Sequence, residues 1–413
     1  MLAKPGDIRY YVLPVFEAAQ WEQVMELTAE QQAILDGKDG EVMQRVMETL
    51  VRYGDSFQAP RLVPIKSAHL TGSFAIASFT GYYELLDKLV EAGITVKVPT
   101  TINPRPGHDY SMPNKLVAFR KQMHHEEVMR KLGVMSNWSC VCYTRTNVPE
   151  FGDILGWAES SAVVYANSVI GARSNRNSLM VDLCMAVTGL APEFGLLWDE
   201  NRKGDILVKL DIEEMDDDAV GFIVGQQIVD KVPVLTHYPF DKVQLKNLGA
   251  TMAASGGVGL FHVEGLTPEC PTLDAVFDKD PEQVITITQK DIDAIRLSAP
   301  KQEETGLVVF GCQQMTLDEV KDVGQHFVGK KVKRRTLFHI MPDDYNDLVK
   351  LPLHQQLLDA GVELHQHCPL AGLTVRLKPK DRNVLTNSGK LHYYLHGGEY
   401  GNTEDMLRIA GVK

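Results

Sequence analysis

The chain has 413 residues, a net charge of -12 and 44% apolar residues. That length supports several hydrophobic cores, because single cores stop growing near about 250–300 residues. The acidic balance disfavours a general attraction to nucleic-acid phosphates or anionic lipid, and no apolar run approaches the roughly 18–20 residues needed to span a bilayer.

The start, Met1-Leu2-Ala3-Lys4-Pro5-Gly6-Asp7, lacks the apolar core of a signal peptide, so a cytoplasmic location is expected. Thr28 precedes Gln31 by the capping-box spacing, and Ile34, Leu35, Val42, Val46 and Leu50 recur at helical intervals. A strand is expected over 61–65, a helix around Tyr82 to Ala92, and a second strand over Ile94 to Val98 after Gly93. A tract of small residues runs from Gly156 to Gly189. It is followed by a strand at Asp205 to Leu210, a helix near Val220 to Val229, and a part read as loop-rich with Gly256-Gly257 and Gly265. The last third repeats the α/β alternation: a strand over 306–310, a tight turn at Gly311-Cys312, and a second capping box at Thr316 and Glu319. A strand at Arg335 to Ile340, a helix around Asp347 to Ala360 and a strand at Val362 to Leu364 complete it, with Cys368 just beyond. Changes of pattern divide the chain into 1–135 (helical lead and first α/β domain), 136–300 (central domain with the small-residue tract) and 301–413 (C-terminal α/β domain).

Six cysteines in so long a chain imply free thiols, buried or metal-bound, and not a disulfide framework. Cys312 and Cys368 follow strands of what reads as one sheet, beyond whose carboxyl ends ligands bind. The third candidate, Cys140, lies in a loop-like stretch with Cys142. Three thiolates on a four-iron cubane would leave one iron open to act as a Lewis acid, whereas the same residues could equally be buried apolar thiols or bind another thiophilic metal. The polar tract from Trp157 to Arg176 reads either as a binding surface, with Arg173 or Arg176 gripping a carboxylate or phosphate, or as a cap and turn bonding its own backbone. The turn Leu385 to Lys390 can hold an anion through backbone N–H groups and Lys390. His69 is the histidine expected to face the site.

These residues resemble the large subunit of the aconitase X family, a branch of the aconitase superfamily. The likeness rests on Leu27-Thr28-Ala29-Glu30-Gln31 with Gly37 and Gly40, on Ser67-Ala68-His69, and on the whole 157–176 block. It also rests on Thr188-Gly189-x-x-Pro192-x-x-Gly195, Phe261-His262-x-x-Gly265-x-Thr267-Pro268-Glu269 and Thr386-Asn387-Ser388-x-Lys390. The resemblance implies a multi-domain α/β architecture, with layers around a central cleft, and a hydro-lyase acting on a small hydroxy acid. An iron-sulfur cluster of four or two irons would sit on Cys140, Cys312 and Cys368. Departures occur beside these ligands, where Cys142 replaces a family proline and Gln313-Gln314 replace Pro-His. Substrate contacts are expected from Ser67, His69, Glu159, Ser160, Ser161, Asn167, Ser168, Arg173, Ser174, Asn175, Arg176, Asn387, Ser388 and Lys390. The family's swivelling domain is expected on a separate small subunit, which would bring the general base. Of the activities in similar proteins, dehydration of cis-3-hydroxy-L-proline is the first expectation and of mevalonate 5-phosphate the alternative, with Lys66 as the cation that a phosphate would call for. The departures also leave room for a non-catalytic cluster sensor or scaffold.

Overall fold

The capping box at Thr28 forms as its spacing predicts. Gln31 N–H donates to the Thr28 hydroxyl at 3.2 Å, Thr28 N–H donates to Gln31 Oε1 at 3.0 Å, and the helix Ala29–Leu35 follows. The computed structural model describes residues 25–72, 80–106, 115–297, 305–370, 383–395 and 398–413; the Met1–Asp7 start lies outside them. The long helix Glu41–Ser56 buries Met43, Val46, Met47 and Leu50, the face that its periodicity marks.

Three parallel sheets organise the described residues. The first has three strands in the order Thr100–Ile102, Ser67–Leu70, Leu155–Trp157. The second runs His262–Val263, Pro233–Leu235, Ile206–Asp211, Gln283–Thr288. The third has five strands, with Leu307–Met315 central between Arg335–Ile340 and Val384–Thr386, and Val362–His365 and Glu399–Tyr400 at its edges. A short antiparallel pair, Leu62–Pro64 with Leu190–Pro192, forms a sheet of its own. Parallel strands covered by helices on both faces bury apolar residues almost continuously, and Leu307 to Phe310 are all buried.

The first core draws on residues from Met25 to Phe194, so it runs across position 135 and division by packing falls later than the change of sequence pattern suggests. Four element readings also need correction. Ile94 to Val98 is not a strand, because Val96 N–H and Lys97 N–H find Leu132 and Ala186 carbonyls in loop contacts; the strand is Thr100–Ile102 instead. The part read as loop-rich holds the helix Lys242–Gly256. It packs against Asp217–Gln227 so tightly that a Cβ on Gly221 would lie 2.7 Å from the Leu248 carbonyl oxygen, which explains the glycine-rich composition that imitates a loop. Gly311-Cys312 lies within the strand Leu307–Met315, at a register shift between Phe310 and Met315, and not in a terminal turn. Finally, Pro352 splits the long helix expected at 347–360 into Pro342–Leu348 and Pro352–Ala360, with Leu351 extended as a residue before proline must be.

Candidate active site

Cys312 is set by the irregular half of the central strand Leu307–Met315, and Cys368 stands three residues past the strand Val362–His365. Both are buried. Cys368 N–H donates to the Arg105 carbonyl at 2.7 Å, and Pro106 pairs with Cys368 in a parallel bridge, so the first sheet's outgoing chain is joined to the third sheet at a thiol. Cys140 lies just before the single turn Cys142–Thr144. Its sulfur accepts from Gln314 N–H at 3.5 Å, while Gln313 Nε2 donates to the Cys140 carbonyl at 3.4 Å and Tyr143 O–H donates to Gln313 Oε1 at 3.0 Å. The residues that depart from the family pattern at 313 and 314 are therefore the ones that hold the Cys140 segment against the Cys312 strand.

The three thiols also bear on one another's protonation. Burial pushes the Cys140 thiol up to about 12, with Glu159 and Cys368 raising it and Lys390 lowering it. Burial likewise lifts Cys312 well above the ordinary thiol range; Lys390 opposes that shift, and Cys368, Cys140 and Glu159 add to it. Three thiols from separate segments thus act on one another around one buried cation. Lys390 Nζ donates to Glu159 Oε1 at 2.7 Å and also to the Ser161 hydroxyl. The pair is deeply buried, at 6% exposure for Lys390 and 5% for Glu159. For Glu159 burial raises the carboxyl, but the Lys390 charge and hydrogen bond outweigh it and hold the group below its usual range. For Lys390 burial acts to lower the amine, and Glu159 with the Cys312 and Cys140 thiols more than reverses this. The pair is ionised on both sides.

His69 is fully buried, its Nδ1 against Thr101 Oγ1 at 2.8 Å and its Nε2 against Asn103 Oδ1 at 3.0 Å. Burial depresses its pKa, partly offset by Glu159 and Asn103. The ring braces the strand ends. Ser67 accepts from Trp157 Nε1 at 3.2 Å, and Lys66, which directly precedes Ser67, is exposed.

The Trp157 to Arg176 tract divides. Glu159 caps the helix Ser160–Tyr165, accepting from Ala162 N–H at 2.6 Å, and it and Ser161 reach Lys390. Ser160 is half-buried on the same turn. The later residues hold backbone. Asn167 donates to the Ser174 and Gly259 carbonyls at 2.9 and 2.8 Å and accepts from Ser174 N–H at 2.9 Å. Ser168 accepts from Phe261 N–H, Ser174 donates to the Asn175 carbonyl, and Asn175 clamps Phe194 and Leu196. Arg173 donates to the Leu197 carbonyl and pairs with Asp199, while the exposed Arg176 donates to the Gly257 carbonyl. The hydrogen bonds of these five polar residues and Arg176 go to nearby backbone groups and Asp199, and none goes to a thiol.

In the 386–390 turn, Asn387 donates to Thr403 Oγ1 at 3.1 Å, and Ser388 caps the helix Gly389–Tyr394 while its hydroxyl donates to the Cys312 carbonyl. Both line a 300 Å³ cleft with Cys312, Asp218, Asp241, Glu319 and Asp322. Of its four acidic side chains, Glu319 is paired with Lys246 and Asp218 is bound to Thr251 and Gly389 N–H. Thr101, Asn103, Arg105 and Asn147, whose Nδ2 donates to Thr101 Oγ1 at 3.0 Å, also belong to this centre. Sequence spacing carried no signal for them beyond Arg105 standing between two prolines.

Among the described residues no three His, Cys, Asp or Glu side chains stand close enough to grip a single ion. Three mutually interacting cysteines beside one cation instead suit a polynuclear cluster, whose thiolates bind different irons and stand further apart.

The fold and this centre define a multi-domain α/β enzyme with a thiol-lined site at strand ends. Models of the Aconitase X first, second and third domains match residues 24–200, 204–297 and 305–411. The chain belongs to the aconitase X family, and it is an enzyme of the dehydratase, or hydro-lyase, class. It is 39% identical over 401 residues to the phosphomevalonate dehydratase large subunit of Thermococcus kodakarensis, covering 94% of this chain and 100% of that one. It is 33% identical to the protein of the same name from Methanosarcina mazei, covering 94% and 97%. The cis-3-hydroxy-L-proline dehydratase of Pseudomonas aeruginosa is 30% identical, and the match covers 73% of this chain and 54% of that longer protein. A crystal structure of Thermococcus kodakaraensis aconitase X in its holo-form superposes with a TM-score of 0.85 at 31% identity, covering 94% of this chain and all of that one. The dehydratase names of these relatives support an enzyme over the sensor or scaffold reading. No helix among the described residues is long and apolar enough to cross a membrane.

Proposed function

We propose that the chain is the large subunit of a phosphomevalonate dehydratase, with an iron-sulfur cluster on Cys140, Cys312 and Cys368 and a small subunit completing the site in the cytoplasm. The observation that carries this reading is the gathering of two buried thiols, Cys312 and Cys368, and the partly buried Cys140 around the Lys390–Glu159 pair. The substrate assignment reverses the first expectation. The full-length relatives bear the phosphomevalonate name, and the hydroxyproline dehydratase is both less similar and much longer than this chain.

A cluster so held supplies Lewis acidity toward the substrate hydroxyl, which is a poor leaving group alone. Lys390 lowers the cost of ionising Cys140 and Cys312, as cluster ligation demands. An ammonium has three donors; Glu159 and Ser161 take two, which leaves one for an anionic substrate group. The general base is assigned to the small subunit, because Glu159 is committed to Lys390 and His69 is locked between Thr101 and Asn103.

The test is anaerobic co-purification with the small subunit, a visible spectrum, and assays of water loss from phosphomevalonate and from cis-3-hydroxy-L-proline. A coloured complex that dehydrates the phosphorylated acid is the expected result. Turnover of hydroxyproline alone would overturn the substrate, and a colourless, iron-free, active complex would overturn the cluster.

A further inference from the structure

Lys390 reaches Glu159 and Ser161 in the first part of the chain, but what seats its turn comes from the second. Asp218, near the start of the helix Asp217–Gln227, is buried, and its Oδ1 accepts from Gly389 N–H at 2.7 Å. The same oxygen accepts from the hydroxyl of Thr251, on the helix Lys242–Gly256, at 2.5 Å. The seat is tight. A Cβ on Gly389 would lie 2.5 Å from Thr251 Cγ2 and 2.9 Å from its Oγ1, so only glycine lets the turn rest on that helix. One residue earlier, Ser388 ties the turn to the Cys312 carbonyl; one residue later, Lys390 crosses to Glu159. Five residues of turn thus touch Glu159, the Cys312 strand and the helices Asp217–Gln227 and Lys242–Gly256, and Asp218 Oδ1 is the side-chain acceptor that takes the turn's Gly389 N–H.

We propose that Asp218 is a positioning residue for the reaction, fixing through Gly389 where the Lys390 ammonium stands relative to Cys140, Cys312 and the substrate. The role is mechanical: Asp218 contacts neither Lys390 Nζ nor a thiol by hydrogen bond, and it needs an oxygen acceptor at that point, not a negative charge. A misplacement of about 1 Å at a binding group can cost on the order of a hundredfold in rate. This inference rests on the dehydratase reading for its kinetic arm only.

The experiment compares Asp218→Ala, Asp218→Asn and Thr251→Val in the complex of both subunits. Two readouts are used: steady-state kinetics, and labelling of Lys390 by an amine-acetylating reagent in the native state, followed by mass spectrometry. Asp218→Ala is expected to lower kcat by about a hundredfold and to expose Lys390 to labelling, while Asp218→Asn, which keeps the acceptor, retains most activity and wild-type protection. Wild-type protection and kcat in Asp218→Ala would overturn the proposal, as would an equal loss in Asp218→Asn with Lys390 still protected, since that pattern reports charge and not position. Should Asp218→Ala fail to fold, Asp218→Asn and Thr251→Val decide: protection retained in the first and reduced in the second supports the seat, and the reverse overturns it. If the wild-type complex dehydrates no hydroxy acid, the functional reading fails while the labelling still judges the seat.

Discussion

Glu159 to Ser161 and Asn167 to Arg176 come from one stretch of chain with one kind of composition, yet they do different work. The first part sends a carboxylate and a hydroxyl across to Lys390; the second spends its amides, hydroxyls and guanidinium groups on nearby carbonyls and N–H groups. The difference lies in what each side chain can reach. Beyond the helix Ser160–Tyr165 the chain makes a π turn at Ala166–Ile170 and a left-handed Gly171, leaving backbone groups that helix bonding does not satisfy. Buried backbone groups must be paired, so the polar residues beside them are consumed locally.

The largest effect should come from breaking the first part. Lys390→Met leaves Glu159 buried without its counter-ion, a loss of about 3–5 kcal/mol, read as a fall in denaturation midpoint together with loss of turnover. Adding Glu159→Gln should recover most of the stability and none of the turnover. Recovery of both would show that the pair is structural alone.

A third region sharpens the contrast from the other side. His125 is fully buried among Tyr82, Tyr83 and Trp138, and neither ring nitrogen has a hydrogen-bond partner. Burial depresses its pKa to about 4, against an ordinary value of 6.5. The folded state therefore binds this proton more weakly than the unfolded chain does. Its contribution to stability is complete above the unfolded value and is lost as pH falls through the folded one, by up to about 3 kcal/mol. His125→Phe should flatten the acid limb of stability between those values, measured by urea denaturation against pH; an unchanged limb would place the acid sensitivity elsewhere.

Asn167→Ala is the test of the second part. Removing it strands a buried N–H and two carbonyls, and about 2 kcal/mol of stability should go, with kcat of the folded enzyme unchanged. A selective loss of kcat would return Asn167 to the substrate. Smallest of all, Arg176→Ala should shift stability by no more than about 0.5 kcal/mol and leave KM as it was.

Where local chemistry decides, the chain was readable. Both capping boxes, three of the five strands of the third sheet and the placement of Cys312 and Cys368 at one sheet follow from spacing and periodicity, whereas Val384–Thr386 passed for part of a turn and Glu399–Tyr400 gave no signal. Where long-range packing decides, it was not. The helix Lys242–Gly256 hid behind glycines and alanines chosen for close approach to its neighbour, and the central strand Ser67–Leu70 is too short for periodicity to show. Glu159 and Lys390, separated by 231 positions, were each singled out, but nothing local said that they pair. Asp218 gave no sign, because its partner is a backbone N–H on a distant turn.

The bridge between Pro106 and Cys368 makes a mechanical point about assembly. Cys140 and Arg105 ride on the first body of the chain, Cys312 and Cys368 on the third, so a prosthetic group spanning these sulfurs would act as a rivet through a seam. The same seam is also held by the Cys368–Arg105 backbone bond, the glutamines at 313 and 314, the Arg145 pairs with Asp344 and Asp347, and Lys390 with Glu159. Insertion of such a group would then add a covalent tie to a join that polar contacts already hold.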